Sequence, residues 1–317
     1  MKKDDFSLSN EELERVRAEA RLALERANAF GRLPTPVHDI LDAAELTVVD
    51  DEVLDQGWLA RFRKRATGAL KSALSKVLGL FDARAWLIHV DRSVKVVKQT
   101  FIKLHEAGHG LLVWQRKMYA AAEDCEFTLA DDIKDLFERE ANNFASEVLF
   151  QLDAFTEQAA DYEFGIGVPL KLGPKYGASA YASIRRYVRK NDRACVVLVL
   201  DPPVVANDVG FQASLRRVIP SPAFARQVGD LAWPTVFTPD DELGDMVPVG
   251  RRMSRPRTLA VTDRNGADHE CIAEAFATPY QVFILIHLRK ALSRTTVIMP
   301  LRVDHRPTYR SGAGSDA

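Results

Sequence analysis

The segment LHEAGHG, residues 104–110, sets two imidazoles four residues apart and places a carboxylate beside the first. On a helix, residues four apart project from one face about a turn apart, so His105 and His109 can offer nitrogen lone pairs to a single divalent ion. Glu106 lies next to that pair, where it can reach a water on the ion's open position, take its proton and later return it to a leaving amine. Zn2+ suits such donors and makes bound water acidic enough to attack near neutral pH. The apolar residues Phe101, Ile102, Leu104, Leu111 and Leu112 would bury the flank of the centre. Types and spacing together point to metal-assisted peptide-bond hydrolysis.

A catalytic zinc takes three protein ligands and keeps a position open. The extended motif with a third histidine requires Gly at 112 and His at 115, where this chain has Leu112 and Gln115. A glutamate on a following helix is the remaining common solution, and in LFEREANNFASEVLF the candidates are Glu138, Glu140 and Glu147. Glu138 is preferred, because Asn142 stands at i+4, on the same helix face, and can support the site. Cys125, in AAEDCEFT, could as a thiolate occupy the fourth position of the ion, the plain alternative being a small half-buried thiol. Tyr119 could donate to a developing oxyanion. His89, alternating with apolar neighbours in AWLIHV, could line the cleft or be a satisfied structural histidine.

Two packed helices must hold these groups. VKQTFIKLHEAGHGLLVW has helical spacing and follows the strand-length run AWLIHV, and Asp131 to Leu152 repeats apolar residues at three and four. Upstream, residues 10 to 30 form a moderately amphipathic helix opened by the Ser9, Asn10 cap region. A short helical run from Asp39 to Ala44 leads into the strand-like LTVVD. The basic stretch from Arg61 sets Leu70, Leu74, Val77, Leu78 and Phe81 on one helical face. GPKYGASAYASIRRYVRK reads as a helix-turn-helix-like unit. Beyond Asp192 the runs ACVVLVL, RTLAVTD, HECIAEAF, YQVFILIHL and TTVIMPL are β-rich. The expected class is α+β, with a metal-site domain over 1–150, a helical linker module over 151–191, an α/β domain over 192–305 and a flexible tail over 306–317.

Lys and Arg number 43 against 44 Asp and Glu, so the net charge of -1 gives no bulk attraction to nucleic acid or acidic membranes. Local basic groups at Arg61–Arg65, Arg185–Lys190 and Arg251–Arg257 could contact phosphates, which keeps a single-stranded DNA effector open; solvated helix faces are the alternative. No P-loop, dinucleotide fingerprint or RNP-type aromatic pattern occurs. Cys125, Cys195 and Cys271 have no paired spacing, which fits a reducing, cytoplasmic setting, with Cys195 and Cys271 as packing residues. No apolar run approaches the ~18 residues of a membrane span. His287 reads as core, and His38, His269 and His305 as loop or surface residues.

In combination, the strand Trp86 to Asp91, Phe101, HEAGH and EREANNFASEVL resemble the ImmA/IrrE metallopeptidases over about residues 30 to 190. The resemblance implies His105, His109 and Glu138 as Zn2+ ligands and Glu106 as catalytic base. Lys98 stands where the family usually has arginine, and Phe150 and Gln151 where it often has Met-Pro. It further implies a partner: family members commonly cleave a helix-turn-helix repressor and relieve repression after stress or DNA damage. Some carry a GAF-like sensor domain, which residues 192–305 could form. The chain is also similar to metallopeptidases paired with repressors in anti-phage (CBASS) operons, in which case Cys125 would be an inhibitory switch. A non-proteolytic ligand- or DNA-binding regulator with a structural zinc is the reading from a different class.

Overall fold

The protein is described by a computed structural model that covers residues 6–49, 79–82, 85–90, 94–124, 130–206, 209–250 and 252–289. Helix α1 (Asn10–Arg26) begins in a capping box: Ser9 Oγ accepts the Glu12 amide at 3.2 Å while the Glu12 carboxylate accepts the Ser9 amide at 2.8 Å. After α2 (Val37–Ala43), three strands, β1 (Thr47–Val49), β2 (Gly79–Asp82) and β3 (Leu87–Val90), form a small sheet in the order β1-β3-β2. β1 runs parallel to β3 and β2 antiparallel to it. The helical reading that extended to Phe81 is corrected here. Gly79–Asp82 pairs with β3, and Phe81 faces the motif helix from a strand.

Helix α3 (Val96–Leu111) carries the histidine pair, breaks at Leu112, whose ψ of 94° is extended, and gives way to α4 (Val113–Asp124). Helix α5 (Asp131–Leu149) lies across α3. They come close at Gly108, where an added Cβ would meet Ala141 Cα at 3.2 Å and Ala141 Cβ at 3.4 Å. Two small residues thus let the backbones of α3 and α5 come close, and that distance sets whether side chains from both can share one ion. Gln151 follows α5 at the place where the resembled family has Met-Pro. Its amide accepts Gly31 N–H at 2.8 Å and donates to Arg32 O at 2.7 Å, fastening the loop after α1.

Helices α6 (Ala154–Ala160), α7 (Gly167–Leu172) and α8 (Ala180–Arg189) come next, with a single 3-10 turn at Gly173–Tyr176 between the last two. Within the Arg185–Lys190 group, Arg185 and Arg186 on α8 are buried, so these two form neither a phosphate-contacting face nor a solvated one, while Arg189 is exposed. Arg185 stacks its guanidinium 3.5 Å from the Phe6 ring centroid. Arg186 makes two bonds, 2.8 and 3.1 Å, to the Glu147 carboxylate of α5 and a third to Leu152 O. Arg17 of α1 at 3.2 Å and Lys190 at 3.2 Å complete the cluster. Glu147, a ligand candidate by sequence, is therefore a structural anion tying α1, α5 and α8 together.

The C-terminal part contains β4 (Cys195–Leu200), β5 (Val204–Ala206), β6 (Gly210–Pro220), the short α9 (Pro222–Gln227), β7 (Val236–Phe237), β8 (Arg257–Thr262), β9 (Asp268–Thr278) and β10 (Gln281–Leu288). All pairings are antiparallel, in the order β5-β6-β4-β10-β9-β8, with β7 beside β6. β4 and β10 are central and buried on both faces, which is why their sequences are unbroken apolar runs. Cys195, Val197, Val199, Phe283 and Leu285 join a core that runs back through α8 to Leu104 and Ala107 of α3 and Val16 of α1. Val196, Leu198, Ile284 and Ile286 face the other way, onto Phe224 and Phe237. The architecture is α+β.

Candidate metal centre

The sequence places His105 and His109 on the face of α3 that meets α5, and the Gly108–Ala141 contact brings Glu138 opposite them. Glu138 Oε2 lies 3.3 Å from His105 Nε2, and Glu138 Oε1 lies 3.6 Å from His109 Nε2. The two Nε2 atoms are 3.3 Å apart. One ligand atom from each of the three residues thus falls within 4.8 Å of the others, and this is the group of that kind found among the described residues. Three inward-aimed donors at such separations surround a point from which each can coordinate.

The rest of each imidazole is already committed. His105 Nδ1 is 3.1 Å from Asn142 Oδ1, and His109 Nδ1 is 2.8 Å from Gln115 Oε1. An amide oxygen only accepts, so both rings carry a proton on Nδ1; a neutral ring then turns its Nε2 lone pair to a metal, and a second proton on His105 Nε2 would have to leave first. Asn142 occupies the supporting place that its spacing from Glu138 suggested. Gln115 had entered the sequence reading only as the residue that is not a third histidine. Its amide nitrogen donates to Glu140 Oε2 at 2.7 Å and to Phe137 O at 3.2 Å. Glu140 also accepts the Trp114 indole N–H at 2.8 Å, and Arg15 of α1 approaches it at 3.8 Å. Glu140, the second ligand candidate, therefore stands behind the site and not at its donor cluster.

Electrostatics fit a cation site. Burial, followed by the charge of His105, pushes His109 down to about 4, so this ring is neutral at physiological pH. Burial also opposes a charge on His105, but its hydrogen bond to Glu138 and the carboxylates of Glu106 and Glu138 together raise it above the usual histidine range. Glu138 is lowered: burial works against its charge, and the bond to His105 and both imidazoles outweigh it. Glu106 is pushed up to about 7, first by burial and then by the Glu138 charge, against the opposing influence of His105 and a backbone bond from Phe81. A carboxyl titrating near neutrality is suited to accept and return a proton.

Tyr119 of α4 stacks edge-on to His109 at 6.4 Å and to Phe137 at 5.4 Å. Burial, with the Glu138 and Glu106 carboxylates, pushes its phenol up to about 12, so it remains a donor. His89 is on the opposite face of β3 from Ile88 and Val90, which pack into the core, so alternation turns it away from the helix side. His287 is buried against Phe164 at 4.8 Å. Cys195 and Cys271 are buried free thiols, pushed by burial up to about 12 and about 11. Cys125, the Arg61–Arg65 group and His305 lie outside the described residues.

No protein-family model and no curated protein matches the chain. Among solved structures it is similar to a Mycobacterium tuberculosis transcriptional regulator, at 12% identity and a TM-score of 0.51, over 86% of this chain and 75% of that one. At that identity the likeness concerns the fold.

Proposed function

We propose that the protein is a zinc endopeptidase that cleaves a partner helix-turn-helix repressor and so relieves repression in a stress, DNA-damage or anti-phage response. One observation carries the chemistry: His105, His109 and Glu138 converge while the far nitrogen of each imidazole is already bonded, beside a buried carboxylate poised near neutrality. Three protein ligands suit a catalytic zinc, which keeps its fourth position for water. Bound zinc would polarise the scissile carbonyl and acidify a water. Glu106 takes the proton of that water and passes it to the departing amine. Asn142 and Gln115 hold the imidazoles, and the Tyr119 phenol can donate to the oxyanion. Strand β2 ends its sheet among the described residues, with Phe81 beside Glu106, so an extended substrate could add along it.

The repressor as substrate and a GAF-like sensor over 192–305 rest on the resemblance to ImmA/IrrE enzymes; the division at residues 150 and 191 rests on the change of sequence texture, a single-stranded DNA effector on the local basic groups, and a cytoplasmic setting on the unpaired cysteines. Cys125 would be the inhibitory fourth ligand, and Cys125→Ser is expected to raise basal cleavage in a time course with purified repressor. A second reading, a non-proteolytic regulator with a structural zinc, is favoured by the name of the structural neighbour, a transcriptional regulator. Glu106→Gln separates the two. As an enzyme, the variant keeps its zinc and loses cleavage by about 100-fold or more. As a regulator, it keeps zinc and regulation alike.

A further inference from the structure

We infer that Glu140 and Gln115 act as a pair of positioning residues that set the tautomer of His109 and thereby decide whether its Nε2 can bind a metal at all. The inference rests on the metal-centre reading for its consequence, and on hydrogen-bond geometry alone for its premise.

An unconstrained glutamine can present either end of its amide, and an imidazole can carry its proton on either nitrogen, so a Gln–His contact by itself fixes neither. Here the ambiguity is removed from behind. Gln115 is fully buried. Its nitrogen faces the Glu140 carboxylate at 2.7 Å and the Phe137 carbonyl at 3.2 Å, and neither of those oxygens can donate. The amide must therefore point its NH2 at them and its oxygen at His109 Nδ1, 2.8 Å away. That nitrogen has to carry the proton, and Nε2 is left with its lone pair directed at Glu138 and His105. Glu140 is kept in place by the Trp114 indole N–H at 2.8 Å and neighboured by Arg15 at 3.8 Å. The break at Leu112 turns the chain so that Gln115 and Trp114, six and five residues beyond His109, come back over α5.

This accounts for two carboxylates two residues apart on α5 having separate duties: Glu138 meets the ion, and Glu140 orients the group that orients a ligand.

The test reads the tautomer directly. Nitrogen-15 NMR of the full-length metal-free protein, with His109 identified by its loss in His109→Ala, should show His109 protonated on Nδ1. Gln115→Leu removes the acceptor while keeping the volume, and the His109 signals should shift toward Nε2 protonation. Competition with a chromophoric chelator should show zinc binding weakened by about 10- to 100-fold. Glu140→Gln, which keeps shape but gives the neighbour a donor of its own, should shift the same signals by a smaller amount. If Gln115→Leu does not fold, Glu140→Gln carries the measurement. Unchanged His109 signals in the variants that fold would overturn the pairing, whatever the zinc data show. A shifted tautomer in a protein that binds no zinc would instead support the pairing and remove the metal-centre reading.

Discussion

At the residue scale, metal binding at the proposed centre would be coupled to protons. His105 titrates above the ordinary histidine range because Glu138 and Glu106 favour its charged form despite burial. A metal must displace that proton, so zinc affinity should rise with pH until His105 is neutral and fall as it becomes protonated. Isothermal titration in two buffers of different ionisation enthalpy should reveal proton release on binding near neutral pH; its absence would place the metal elsewhere. Glu106, pushed up to about 7 in the metal-free site, must be ionised to act as base. A neighbouring dication lowers that value, so the acid limb of kcat/KM should lie below pH 7 and vanish in Glu106→Gln. The convergence of His105, His109 and Glu138, with Asn142 against His105, was legible because spacing on single helices sets which face each side chain takes. Gln115 and Glu140 were not, because their contact depends on where the chain turns at Leu112, and no period records that.

At the scale of elements, the centre depends on how closely α3 and α5 cross. At Gly108 an added Cβ would lie 3.2 Å from both Ala141 Cα and the Phe144 ring, tighter than ordinary contact, so a larger side chain would press on both. Gly108→Val should therefore part the helices, cost about 1–3 kcal/mol through overpacking, and weaken zinc binding as Glu138 withdraws from the imidazoles. Thermal melts with and without zinc would separate the two effects, and unchanged affinity in a folded variant would show that the crossing does not govern the site. The long helices were readable from their repeated apolar stripes. Phe81 was misread because Leu70, Leu74, Val77, Leu78 and Phe81 keep a helical interval through residues that end in an edge strand; four residues are too few for alternation to outweigh a preceding period. Burial of Arg185 and Arg186 was hidden because their partners, Phe6 and Glu147, are remote in sequence.

At the scale of the whole molecule, Glu147 ties its own helix α5 to α1 through Arg17 and to α8 through Arg186 and Lys190. Burial opposes its charge, but Arg186 first and then Lys190 and Arg17 hold its carboxyl below the usual range. A carboxyl lowered by folding contributes stability above its unfolded value, about 4.3, and loses that contribution as pH falls through its folded value. Glu147→Gln should cost about 3–5 kcal/mol at pH 7, because it strands Arg186 without its counter-ion, and should flatten the drop in melting temperature between pH 5 and 3. Equal acid sensitivity in wild type and variant would show that other carboxylates dominate. The β-rich C-terminal third was visible as a change of texture after Asp192, yet that boundary in composition is not a boundary in packing. Phe283 and Leu285 of β10 sit in the same core as Leu104 of the histidine helix. Cutting the gene at codon 192 would leave each half with a bare greasy wall, so the separated fragments should precipitate alone and recover solubility when co-expressed.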